Sequence, residues 1–145
     1  LSSSSAASDV YKRQSENKGL CFPSSADSIP TSLGQEDHVS MGSIGGRKAL
    51  QVIGNVEKIL AIELLTAAQA FEFRKPLKSG IYLEEVHNTV RERVAFASKD
   101  RVFADDIEKG IAMIKDRTIL NVIDRVQAEH NISLKTKHSE EFENY

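Results

Sequence analysis

"ALQVIGNVEKILAIELLTAAQAFEF", residues Ala49 to Phe73, is the stretch on which the fold turns. Leu50, Val52, Ile53, Val56, Ile59, Leu60, Ile62, Leu64 and Leu65 occupy most faces of a 3.6-residue period and leave only a thin polar strip. No proline interrupts the chain between Pro30 and Pro76, so a long helix is free to form. A helix that is apolar nearly all round has to be buried on most sides. The rest of the chain is too small to wrap it, and the uncovered surface is expected to meet other subunits or polypeptide outside this chain.

Working outward, Ser32 stands three residues before Gln35, the spacing of a capping box, and Glu36 and Asp37 supply an acidic first turn. The long helix is therefore expected to start near Ser32 to Gly34. Beyond a break at Pro76 to Gly80, Leu83, Val86, Val90, Val94 and Ala97 follow the spacing of a one-sided amphipathic helix. Ala104 to Lys115 reads as a third helix, with Asp105, Asp106 and Glu108 at its start and Ile107, Ile111 and Ile114 as its stripe. Thr118 to Glu129 reads as a fourth, with Ile119, Val122, Ile123 and Val126 facing inward. No alternating strand pattern or repeat occurs, and the expected class is all-α: one long central helix with shorter helices around it.

Composition narrows the function. The 145 residues carry 19 basic and 21 acidic side chains, a formal charge of -2, so no basic excess exists to hold nucleic acid or an anionic membrane. Cys21 is the single cysteine, which excludes an internal disulfide and multi-cysteine metal sites and fits a reducing cytoplasm. No run reaches the roughly 18 apolar residues of a membrane span. Residues 1–14, "LSSSSAASDVYKRQ", are low-complexity and resemble translated adaptor sequence; they are read as non-native or disordered. Residues 15–33 read as an irregular approach segment, 34–130 as the helical part and 131–145 as a polar tail.

The chemistry concentrates in "QEDHVSMGSIGG", Gln35 to Gly46. Gln35, Glu36, Asp37 and His38 combine an amide, two carboxylates and an imidazole, but neighbours on a helix point about 100 degrees apart and cannot all meet one ligand. A metal site fits the spacing poorly: four residues after His38 stands Gly42, with no side chain to donate. A phosphate loop fits poorly too, because Gly42 and Gly46 are one residue too close, Arg47 precedes Lys48, and Ala49 replaces the hydroxyl residue. Gly42, Gly45 and Gly46 weaken a helix by about 1 kcal/mol each. Their shared face is read as a place where another helix comes close. His87 is read as a boundary residue beside the second helix's stripe, without a role, as are His130 and His138.

"DSIPTSLGQEDHVSMGSIGGRKAL" (residues 27–50) closely resembles the histidine ammonia-lyases, which carry S-x-P-T-S-x-x-Q-E-D-H-V-S-M at this place. The likeness continues through "ILAIELLTAAQAFEFRKPLKSG" and "VRERVAFASKDRVFADDIEKGI" and covers about Glu16 to Leu120. It implies conversion of L-histidine to trans-urocanate and ammonia, with a methylidene-imidazolone cofactor made from an internal Ala-Ser-Gly. No Ala-Ser-Gly occurs in the chain, so the resemblance implies a C-terminal part of the enzyme, inactive alone, with the cofactor formed upstream. It also implies a homotetramer with bundled central helices. Glu36 matches the family's active-site glutamate, as imidazole anchor first and general base second, with Gln35 assisting in substrate binding and Asp37 and His38 bracing the helix start. A non-catalytic helical assembly or regulatory module derived from the lyase bundle is the alternative.

Overall fold

The computed structural model describes residues 3–27, 33 and 41–132. Five α-helices follow in order: α1 (Ser3–Leu20), α2 (Gly42–Glu72), α3 (Ile81–Arg93), α4 (Ala104–Lys115) and α5 (Thr118–His130), with a 3-10 turn at Ser24–Asp27. Among the described residues there is no strand, and the class is all-α as the periodicity indicates. α2, with 31 residues, is the spine; α1, α3 and α4 pack on it, and α5 packs on α3 and α4.

α2 buries Ala61, Ile62, Leu65 and Ala68 along one face. Leu65 and Ala68 join Val90 and Val94 from α3 and its C-cap and Met113 from α4, and Leu64, Ile107 and Ile119 close the edges. Val90 and Met113 are fully enclosed, which is where burial stabilises most, at about 25 cal/mol per Å² of apolar surface. Small residues set the α2–α4 distance. A Cβ added at Gly110 would lie 3.1 Å from the Ala61 Cβ, closer than two carbons normally approach. Gly110 therefore weakens α4 as an isolated helix and permits the contact that holds it in the fold.

Polar side chains fasten the joints. After α3 the chain turns extended, and the Gln69 amide takes both ends of Ala97: its Nε2 donates to the Ala97 carbonyl at 2.8 Å, and its Oε1 accepts from the Ala97 N–H at 3.3 Å. Arg101 donates to the buried Asp106 at 2.7 and 3.1 Å and to the Ala95 carbonyl, so the first turn of α4 is tied to the loop before it. The α4–α5 corner is pinned by Asp116, which accepts from the Thr118 N–H and hydroxyl and from Arg93.

The structure departs from the sequence reading in several places. Ser3–Leu20 is one helix, so the adaptor-like run is helical from Ser3 and residues 15–20, read as irregular, continue it. No proline or glycine stands between Ser3 and Lys18 to stop it. α1 docks on α2 by polar contacts, with the buried Asn55 donating to Glu16 and Asn17 at 3.0 and 2.9 Å and accepting from Arg13 at 3.3 Å. That is a polar seam hydrophobic periodicity cannot register. The long helix begins at Gly42 with Met41 as its non-helical N-cap, so it does not run on from the start expected near Ser32 to Gly34. Leu83, assigned to the inner stripe of the second helix, is 58% exposed, because α3 turns its Val86, His87 and Val90 side inward instead. Residues 133–145 of the polar tail also lie outside the described residues.

The glycines give a test. Gly54 has nothing within 4 Å of an added Cβ, whereas Gly110 meets Ala61 and Leu65. Gly54→Ala is expected to raise the unfolding free energy by about 0.5–1 kcal/mol through helix propensity. Gly110→Leu is expected to lower it by about 1–3 kcal/mol through overpacking. Urea titrations followed by circular dichroism read both; the same sign for the two substitutions would contradict the α2–α4 contact.

Candidate functional site

Gln35, Glu36, Asp37 and His38, the residues singled out by sequence, all lie outside the described residues. What is described is their downstream support. Met41 is the N-cap of α2 and Gly42 its first residue, so the positive end of a 31-residue helix dipole follows directly on the Gln35–His38 segment in the chain. Gly42 thus sits in the first turn rather than mid-helix. Gly45 has only the Ser24 Oγ, at 3.9 Å, near a would-be Cβ, and Gly46 has nothing within 4 Å. The close approach expected on this face is not made by the described residues.

At the far end of α2, four side chains converge that the sequence reading did not connect. Glu72 accepts from Arg91 Nε at 3.1 Å and pairs with Lys75 Nζ at 2.6 Å. His87, read as a boundary residue, is instead buried at 5% exposure and stacked on Phe71 with ring centroids 4.7 Å apart. Its Nε2 lies 3.1 Å from Glu72 Oε1, within ion-pair range but without hydrogen-bond alignment, and it is a buried nitrogen lacking a hydrogen-bond partner. Fourteen residues, the turn among them, separate Glu72 from His87, and no spacing rule spans such a gap. The Lys75 hydrogen bond chiefly holds the Glu72 carboxyl below its ordinary value; burial opposes this, and the Lys75 charge, the Arg91 hydrogen bond and His87 add to it. The cluster locks α2 to α3. Its charges are spent on one another.

A cleft of about 400 Å³ opens between α1, α2 and α4, with Asp9, Lys12, Arg13, Glu16, Lys58 and Glu108 along it. Acids and bases alternate there, and several already pair, such as Lys12 with Asp9 and Arg13 with Glu16. It offers no field of one sign to a charged ligand. Among the described residues no group of three or more His, Cys, Asp or Glu side chains is placed to hold a metal ion.

Comparison with known proteins supplies what the geometry leaves open. The family described as aromatic amino acid lyase matches residues 7–92, a match that begins inside the adaptor-like run. The chain is 47% identical over 115 residues to a histidine ammonia-lyase of Natranaerobius thermophilus, covering 79% of this chain and 23% of that protein. It is 48% identical over 120 residues to the histidine ammonia-lyase of Homo sapiens, covering 80% and 18%. Among solved structures, histidine ammonia-lyase from Trypanosoma cruzi superposes with a TM-score of 0.75 at 41% identity, over 79% of this chain and 23% of that one. A tyrosine aminomutase from Streptomyces globisporus gives a TM-score of 0.79 at 32% identity, over 91% and 24%. The chain therefore spans less than a quarter of the length of these relatives.

The Glu72 carboxyl titrates below its ordinary value of 4.5, so the stability it contributes is present above that pH and is lost as pH falls through the lowered folded value. Asp116, held down chiefly by its Thr118 hydrogen bond and then by Arg93, acts in the same direction. Glu72→Gln is expected to be less stable than the parent at pH 7 and to lose less between pH 5 and 3. Thermal melts across that range test it; parallel losses in parent and variant would remove Glu72 from the acid response.

Proposed function

Because the chain belongs to the aromatic amino acid lyase family, we propose that it is part of a histidine ammonia-lyase, an enzyme eliminating ammonia from L-histidine to give trans-urocanate. The observation that carries this reading is the 47–48% identity to histidine ammonia-lyases over about four-fifths of the chain, running through the Gln35–Glu36–Asp37–His38 segment. The fold does not choose the reaction, since a tyrosine aminomutase superposes as well as a histidine ammonia-lyase does. Sequence favours histidine, with 41% identity against 32% among those structures.

Glu36 is the residue we assign to the substrate. Histidine differs from phenylalanine and tyrosine in carrying ring N–H groups and a basic nitrogen, and a carboxylate at the ring edge can accept from one and stabilise charge on the other. Anchoring of the imidazole is the first role and removal of the β-proton the second; Gln35 assists binding, and Asp37 and His38 brace the segment. The electrophile of this family forms from Ala-Ser-Gly, a tripeptide absent from these 145 residues, so this chain cannot build it. We assign it to an upstream part of the complete polypeptide, and expect this chain alone to be inactive. The complete enzyme is read as a cytoplasmic homotetramer.

In the complete enzyme, Glu36→Gln is expected to lower kcat/KM for histidine by about 10²-fold or more, read as urocanate absorbance. A rise in KM with kcat held would mark the anchor, a fall in kcat the base. Unchanged kcat and KM would take Glu36 out of the site.

A further inference from the structure

The first turns of α2 have a face that the core does not use. Gly45, Lys48, Val52 and Asn55, at steps of three, four and three, are half-buried or buried, while Ile44, Arg47, Ala49 and Ile53 beside them are exposed. Such steps put four residues on one side of a helix. That side meets α1 and the 3-10 turn that follows it. Its two polar residues both take hold of the end of α1. The buried Asn55 amide donates to Glu16 and Asn17. Two turns earlier, the Lys48 ammonium donates to the Phe22 carbonyl at 2.9 Å and stands 5.8 Å from the centre of the Phe22 ring.

Of the two, Lys48 reaches past the helix. α1 closes with the Cys21 N–H on the Asn17 carbonyl and the Phe22 N–H on the Gly19 carbonyl, and Pro23 follows with no N–H to give. The Phe22 carbonyl lies beyond that ladder, and Lys48 gives it a charged donor while setting a cation against the ring. The lysine that a phosphate loop would aim at a ligand is instead committed to the backbone of its own chain. Residues 28–40, Glu36 among them, connect the 3-10 turn at Ser24–Asp27 to Met41. At Met41 this stretch is joined covalently to α2. At its other end the tie is non-covalent, and among the described residues Lys48 supplies the polar contact between residues 21–27 and α2.

We infer that Lys48 is a positioning residue for the lyase reaction, fixing through the Phe22 carbonyl the point from which the Glu36-bearing stretch departs. The inference rests on the proposed activity and on Glu36 as the group that meets the imidazole. Its test is a double-substitution cycle in the complete enzyme, read as urocanate formation. Lys48→Met keeps the side chain's length and removes its charge, and is expected to lower kcat/KM for histidine about tenfold. The change is expected in the same constant, kcat or KM, that Glu36→Gln alters. Lys48→Arg, which still donates, is expected to recover most of the loss. In a Glu36→Gln background Lys48→Met is expected to cost less than about twofold, because the group it positions is gone. A Lys48→Met enzyme within about twofold of the parent would overturn the inference. So would a Lys48→Arg enzyme no better than Lys48→Met, and so would losses that multiply in the double variant, which is what a general fault in folding gives. A complete enzyme that makes no urocanate removes the activity and this role with it. An active parent enzyme indifferent to Lys48→Met removes the role of Lys48 alone.

Discussion

Everything described here hangs on one constraint: α2 is apolar on two sides, and a single chain of this size can cover only one of them. Its inner face, from Ala61 to Ala68, is met by α3 and α4 and forms the core with Val90 and Met113. Its outer face carries residues of the same kind and stays exposed. Removing apolar surface from water is the dominant favourable contribution to folding, so among the described residues the stabilisation of α2 comes from its inner face.

The inner face also shows how polar groups decide the angle at which helices meet. Apolar contacts are non-directional, and Leu65, Val90 and Met113 alone would tolerate several crossings. Glu72, held by Lys75 and Arg91 and approached by His87, fixes the end of α2 against α3. Gln69 and Ala97, and Arg101 and Asp106, do the same for the loop into α4. The more exposed pairs, Arg125 with Glu85 and Lys115 with Glu57, contribute little by comparison, since water screens them.

A fold shared by a histidine ammonia-lyase and a tyrosine aminomutase cannot itself carry substrate choice. Choice has to reside in the few side chains that touch the part of the substrate that differs, here the ring.

The helices of the core were legible because their patterns are local. Ala104–Lys115 and Thr118–His130 announce themselves by apolar residues three and four apart and by acidic first turns or polar ends. The sequence by itself also determined that α2 is long and over-apolar, that the chain is all-α, and, through Gln35 to Met41, which family it resembles. It did not determine α1, whose docking rests on Asn55 and three polar partners rather than on an apolar stripe. Nor did it reveal that Leu83 faces solvent while His87 is buried beside Glu72. Those outcomes depend on how two helices separated by a turn rotate against each other. Tertiary packing sets that rotation, because periodicity defines a helix's faces but only its neighbours decide which face is inside.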